Sequence, residues 1–226
     1  MAGKKALIIG ASRGIGLGLA RELATRGYRV IATERTHSDE LHQATKGAPI
    51  EVTRCDVTER ADIAALRSLC GDNTLDLLVL NAGVYGSGDQ SIAALEREAL
   101  ADILMTNAVG PAQAAAALMP CLKDGGRIGM LTSKMGSIDD SSGGVNYYRL
   151  SKVAQNMLAR SLFEQHGKAR GVSVLSLHPG WVQTDMGGPN ALIGIEQSAA
   201  GLADRLEETR PPEHVFVDYS GKSIGW

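Results

Sequence analysis

Aromatic residues are scarce. Phe, Tyr and Trp make up 4% of the 226 residues, too few to lay down the stacking platform of a single-strand nucleic-acid binder. Basic charge is not in excess either: 23 Lys and Arg stand against 25 Asp and Glu, a formal net charge of −2. A duplex-binding surface needs a basic stripe to neutralise phosphates, and no run of Lys or Arg supplies one. Nucleic acid is therefore not an expected partner. Long apolar runs are missing; none approaches the ~20 residues that span a bilayer, so no membrane partner is expected. Met1-Ala2-Gly3-Lys4-Lys5 leads only into the brief apolar stretch 6–9, too short for the core of a secretory signal. The expected location is cytoplasmic.

Cysteine is also rare. Cys55, Cys70 and Cys121 form an odd, widely spaced set with no CxxC pair and no histidine nearby at ligand spacing. They read as small buried residues of a reducing compartment. The five histidines show no HExxH pattern, so no metal site is expected. Pro- or Ser-rich linkers, repeats and low-complexity tracts are missing too, and residues 1–226 are expected to form one domain.

What is present is a core-forming chain: 44% hydrophobic residues and 27 glycines. Short β-like runs alternate with helical patterns. Strands are expected at 5–9, 28–33, 50–55, 75–80, 127–132, 172–177 and 215–217. Helices are expected at 15–26, 59–69 with Thr58 as N-cap, 98–118, 147–165 and 197–206. Pro111 lies inside the fourth-strand-to-fifth-strand helix and should kink or break it. Such alternation implies right-handed crossovers and a parallel sheet. The expected class is α/β: one doubly wound Rossmann-type domain, about seven strands with helices on both faces. The loops at 139–144 and 185–194, rich in Gly, Ser or Asp, should be the mobile ones.

Gly10-Ala11-Ser12-Arg13-Gly14-Ile15-Gly16 follows the first strand and opens the first helix. Glycines there let backbone approach a ligand closely, and a helix N-terminus suits a pyrophosphate. The spacing is G-x-x-x-G-x-G, not the commoner G-x-G-x-x-G. By itself it is also compatible with a tight turn that holds no ligand.

Taken together with other motifs, the chain resembles the short-chain dehydrogenase/reductase family. Those motifs are Asp56-Val57, Asn81-Ala82-Gly83, Asn107, Ser133, Tyr148-x-x-x-Lys152, and Pro179-Gly180 followed by Val182 and Thr184. They stand in the family's order, and the likeness runs from about residue 5 to 184. The stretches 133–138 and 178–188, with the ending Ser223-Ile224-Gly225-Trp226, are similar to the C-factor-like or sniffer-like carbonyl-reductase branch. Two departures stand out. Leu80 replaces the first Asn of the usual Asn-Asn-Ala-Gly, and the gap from Ser133 to Tyr148 is slightly long, which points to an insertion at 139–144 that reshapes the pocket mouth.

The resemblance implies hydride transfer between nicotinamide and a carbonyl or alcohol, with Asn107, Ser133, Tyr148 and Lys152 as the catalytic set. It places Gly10, Ser12, Arg13, Gly14, Ile15, Gly16, Asp56, Val57, Asn81, Ala82, Gly83, Pro179, Gly180, Val182 and Thr184 around the cofactor, with Tyr148 and Lys152 touching it. Asp56 would accept from the adenine amino group, Ser133 would hold the substrate oxygen, and Thr184 would bond the pyrophosphate or carboxamide end. The residues support this chemistry on their own account. Tyr148 and Lys152 are four apart, so on a helix they share a face. A free phenol titrates near pH 10, and a nearby ammonium should draw it toward the working range. Tyr147 points about 100° away from that face and reads as packing or pocket wall. Trp181 and Met186 are candidates for the substrate wall.

Cofactor selection is ambiguous in the sequence. Glu34, ending the second strand, could bond a ribose 2′-hydroxyl and repel a 2′-phosphate. Arg35 and Arg13 could pair with that phosphate. Two cations against one carboxylate favour NADP(H), with NAD(H) open. A cofactor-binding signalling or interaction protein on the same fold is the alternative to an enzyme. An epimerase or dehydratase fits poorly, because little chain follows Thr184 to build a substrate domain. The substrate expected is a small molecule, shaped by a loop around 185–196. The resemblance implies a homodimer or homotetramer.

Overall fold

A computed structural model of the chain describes residues 3–86 and 88–226. Seven strands form one parallel sheet in the order β3-β2-β1-β4-β5-β6-β7. They are β1 Lys5–Ile9, β2 Arg29–Glu34, β3 Ile50–Arg54, β4 Leu75–Leu80, β5 Leu122–Leu131, β6 Ser173–His178 and β7 His214–Asp218. The helices are α1 Gly14–Thr25, α2 Asp39–Ala44, α3 Arg60–Cys70, α4 Arg97–Leu104, α5 Gly110–Leu118, α6 Asn146–Leu162 and α7 Ile195–Glu207.

Successive strand side chains feed two separate cores. From β1, Leu7 and Ile9 join Leu66 of α3, Leu118 of α5 and Leu162 of α6. Ala6 and Ile8 join Leu23 of α1, Leu41 of α2 and Leu202 of α7. Helices therefore cover both faces, as a doubly wound sheet requires. Strands buried on both sides have no solvent-facing positions to fill with polar residues, which is why β4 reads as a nearly unbroken apolar run. Strand order reverses at β1, so the ligand crevice of such a fold lies beyond the carboxyl ends of β1 and β4.

The long helix expected at 98–118 is broken, and the break lies one turn ahead of Pro111. Helix α4 passes into a single π-turn, Met105–Val109, before α5 begins. The Gly110 N–H donates to the Met105 carbonyl, five residues back. Proline has no N–H to offer the carbonyl four positions back, and its ring crowds that carbonyl; a wider turn relieves both. Asn107 sits on this turn, and π-turns of this kind often carry function.

Three further local expectations change. The short α2 had no apolar period to announce it; Ser38 caps it by accepting from the Leu41 N–H at 3.3 Å. Thr58 does not cap α3. Glu59 holds the N-cap position, and the Thr58 hydroxyl instead donates to Asp56 at 2.7 Å. Strand β5 starts at Leu122, ahead of its glycine pair, with an irregular register against β4 between Leu75 and Leu77.

Candidate active site

The carboxyl ends of β1, β4, β5 and β6 bring most of the motif residues together. At the end of β1, Gly10 has φ +89°, and an added Cβ would lie 2.7 Å from the Ala82 nitrogen. Only a residue without a side chain holds that conformation against that neighbour. A Cβ on Gly16 would strike the Gly10 carbonyl and the Asn81 side chain. Asn81 fixes the loop by donating to the Gly10 carbonyl at 2.5 Å. Helix α1 then opens at Gly14 with no side chain capping its first turn, which leaves backbone N–H groups and the positive end of the dipole facing outward. A cradle of bare backbone with positive polarity fits a pyrophosphate. Gly14 lies against Thr184, whose methyl would be 3.4 Å from an added Cβ.

The catalytic candidates converge from three elements. Ser133 follows β5, Tyr148 and Lys152 lie on α6, and Asn107 lies on the π-turn. Ser133 lies beside the Tyr148 phenol and favours its ionised form, while its own hydroxyl accepts from the Met135 N–H at 3.1 Å. The Lys152 ammonium lies 5.6 Å from the centre of the Tyr148 ring. It donates to the Leu131 carbonyl at 2.8 Å and to Gln155 at 3.0 Å. Asn107, fully buried, clamps Val84 from both sides: its Oδ1 accepts from the Val84 N–H at 2.7 Å and its Nδ2 donates to the Val84 carbonyl at 2.7 Å. The same Nδ2 reaches Ser151 at 2.9 Å. Gly83 sits beside both groups; a Cβ there would be 3.3 Å from Asn107 Oδ1 and 3.7 Å from Lys152 Nζ.

The electrostatics differ from the sequence expectation. Burial pushes the Tyr148 phenol up to about 12; the neighbouring Ser133 hydroxyl opposes this and Tyr85 adds to it. Burial pushes Lys152 down to about 7. Among the protein's own groups the ammonium does not draw the phenol toward neutrality. It is spent on a carbonyl and an amide, and desolvation of a phenol only 9% exposed dominates.

The cofactor rim is more open. Arg13 and Asp185 form an exposed ion pair at 2.7 Å that joins the glycine loop to the 185–194 loop. Arg35 is exposed. Glu34 is buried and engaged by its own loop: the Ser38 N–H donates to it at 2.8 Å and His42 lies 2.9 Å away. The Ser12 carbonyl accepts from the Ser38 hydroxyl at 2.6 Å. Asp56 accepts from Thr58 backbone and hydroxyl; although burial works the other way, these bonds and Arg35 hold it below the usual carboxylate range. Val57 is buried, and Ile15 packs against the α1–α7 core. On the far side, Pro179 accepts from Ser198 at 2.7 Å, Gly180 has φ +88°, and Val182 pairs with Ile193. That bridge, with Trp181 bonded to the Gly187 carbonyl and Gln183 to that of Ala191, ties together the loop expected to be mobile at 185–194.

Tyr147 packs, as read: it is buried and its hydroxyl donates to the Ala94 carbonyl at 3.1 Å. Trp181 and Met186 are each 50% exposed near the cleft. Sequence reasoning missed Tyr85, whose ring lies 5.0 Å from that of Tyr148, and the supports Ser151 and Gln155. Gln155 had a signal, its place three residues after Lys152; Tyr85, on a loop, had none. It also did not group Glu34 with His37 and His42, which the fold places side by side.

Residues 4–191 match the family model for short chain dehydrogenase, and the chain belongs to that family. Over 228 residues it is 34% identical to 1-hydroxy-2-glutathionyl-2-methyl-3-butene dehydrogenase of a Rhodococcus species, covering 97% of this chain and 98% of that one. It is 40% identical over 161 residues to C-signal of Myxococcus xanthus, covering 67% and 93% respectively. The solved carbonyl reductase of Pseudomonas aeruginosa in complex with NADP superimposes with a TM-score of 0.91 at 35% identity, covering 100% of both chains. The protein is thus an NAD(P)-dependent oxidoreductase of the classical short-chain type. No helix among the described residues is long and apolar enough to cross a membrane.

Proposed function

We propose that the protein is a carbonyl reductase preferring NADP(H), in which Tyr148 passes a proton to the substrate oxygen. The observation that carries this reading is the buried Ser133–Tyr148–Lys152 group set against the bare backbone cradle of the glycine loop. Bound nicotinamide supplies the hydride that reduces the carbonyl carbon. Ser133 holds the carbonyl oxygen, and the Tyr148 hydroxyl gives up its proton to that oxygen as it becomes an alcohol. A phenol pushed up by burial is protonated at neutral pH, the state needed for reduction. Lys152 and Asn107 keep the phenol and the β4 loop in place, and Lys152 offers a hydrogen bond to ribose hydroxyls. Residues 10–16, 81–83 and 179–184 hold the cofactor, with Asp56 and Val57 at its adenine end.

Preference for the 2′-phosphate is supported by the exposed Arg35 and Arg13 and by the commitment of Glu34 to Ser38 and His42. The Pseudomonas reductase with bound NADP points the same way. Tyr85, Trp181 and Met186 give the substrate side an apolar wall, which suits a small, largely apolar carbonyl compound. Residues 1–226 act as one domain with a substrate loop around 185–196, in a cytoplasmic homodimer or homotetramer. The likeness to C-signal favours a second reading, a signalling protein with little turnover. The intact catalytic set weighs against it.

Titration with NADPH and with NADH, followed by a carbonyl screen with the tighter cofactor, tests the proposal. Tyr148→Phe should retain cofactor binding and lose roughly 100-fold or more in kcat. Undiminished turnover in that variant removes Tyr148 from the reaction, and tighter NADH binding reverses the cofactor assignment.

A further inference from the structure

Among the described residues, one group of three side chains is arranged to hold a metal ion, and it lies away from the catalytic residues. Glu34, His37 and His42 each offer one ligand atom, all within 4.8 Å of one another. Glu34 Oε1 is 2.9 Å from His42 Nε2 and 3.8 Å from His37 Nδ1. The two imidazole rings are 4.4 Å apart between centres. From these contacts we propose that Glu34, His37 and His42 bind a divalent transition-metal cation, Zn2+ or one of similar ligand preference, at the rim of the cofactor cleft.

Two imidazoles and a carboxylate are donors that such ions favour. With metal–ligand bonds of about 2.0–2.2 Å, tetrahedral ligand atoms lie roughly 3.4 Å apart. The His42–Glu34 separation is slightly below this spacing and the His37–Glu34 separation slightly above it. An ion enters by small movements of two exposed imidazoles, His37 being 64% and His42 45% exposed, while Glu34 is 11% exposed and fixed. The outer partners match a metal centre too. The second carboxylate oxygen of Glu34 accepts from the Ser38 N–H at 2.8 Å, which sets its direction. The far ring nitrogen of His37 lies 3.1 Å from Asp39 Oδ1. A ligating histidine usually has such a carboxylate behind it, turning the other nitrogen toward the metal. Ser38 anchors this loop to the glycine loop through the Ser12 carbonyl and caps α2. Three protein ligands leave a fourth position open to solvent. HExxH spacing misses this group because its ligands come from a strand end, a loop and a short helix.

The position has a consequence that rests on the cofactor reading above. Glu34 is the carboxylate that would meet a ribose 2′-hydroxyl. A cation bound to it cancels its charge beside Arg35, so a metal-loaded protein should discriminate more strongly for the 2′-phosphate. By linkage, NADPH should then tighten the metal.

Chelator-treated, full-length protein titrated with ZnCl2 alone by calorimetry should bind one equivalent. His37→Ala and His42→Ala should each weaken binding roughly tenfold or more, and Asp39→Asn by about tenfold. Co2+ in place of Zn2+ should show the visible absorption of a tetrahedral site. Both histidines are exposed, so the variants should keep the wild-type Tm without metal, which separates lost ligands from lost folding. No saturable Zn2+ binding, or binding that survives in the His37→Ala/His42→Ala double variant, overturns the site. In a second arm, the ratio of NADPH to NADH affinity is measured with one equivalent of Zn2+ and with chelator. A several-fold rise in the ratio with metal is expected; an unchanged ratio overturns the coupling. Failure of both cofactors to bind with and without metal would strike the oxidoreductase mechanism instead, independently of the calorimetric result.

Discussion

The two ends of the cleft are built differently. At the catalytic end Asn107, Tyr148 and Lys152 are 0%, 9% and 4% exposed. Asn107 is fixed by hydrogen bonds to Val84 and Ser151, and Lys152 by hydrogen bonds to Leu131 and Gln155. At the rim Arg13 and Asp185 are 74% and 76% exposed and hold one another. Buried polar groups are costly to leave unpaired, so the catalytic end tolerates few arrangements. Exposed charges are screened by water and can change partners cheaply. On the proposed mechanism, proton chemistry sits where geometry is rigid, and cofactor choice sits where charge can be rearranged.

The strongest way to break this contrast is at Asn107. Asn107→Ala leaves the Val84 N–H and carbonyl without their side-chain partners. It should cost about 1–3 kcal/mol of stability in denaturant unfolding. Because Val84 and Ser151 lose their support, kcat should fall on the order of 100-fold. A variant with near-normal stability and turnover would show that the buried clamp is not what sets the geometry.

Asn107 also shows what was legible beforehand. Its presence in the motif set was plain, and so was a disruption near Pro111. The π-turn that carries it inward was not, because a widened turn depends on crowding between the Pro111 ring and the carbonyl behind it. The strand–helix alternation was readable because β1 and β4 are buried on both faces and so nearly uniform in polarity. The short α2 was hidden for the opposite reason: among its residues only Leu41 is buried.

The second test concerns pH. Burial raises the Tyr148 phenol to about 12. Alcohol oxidation needs the phenolate, so its kcat/KM should climb about tenfold per pH unit from 7 to 9. Carbonyl reduction needs the phenol and should lose nothing to Tyr148 ionisation over that range. A flat oxidation profile would mean that charge brought by the bound cofactor outweighs burial and holds the phenol low.

The smallest effect is expected at the rim. Asp185→Asn breaks an exposed ion pair and should change stability by no more than about 0.5 kcal/mol. It also frees Arg13, so NADPH should bind a few-fold more tightly while NADH is unaffected, as read by titration at low and high salt. A large drop in Tm would show the rim to be as structural as the catalytic end.

The sequence by itself determined the alternation of strands and helices, the glycine loop, and the Ser133, Tyr148 and Lys152 set. The first two and the Tyr148–Lys152 pair are local: periodicity follows from which faces are buried, and Tyr148 and Lys152 share a face because they are one helical turn apart; Ser133 comes from the end of another element. Only the tertiary structure decided how the charges are spent. Glu34 is turned toward Ser38 and His42, Arg13 toward Asp185, and Lys152 toward the end of β5. Those pairings join residues from different elements. The protonation state of a buried phenol or ammonium likewise depends on the surroundings that the fold assembles around it.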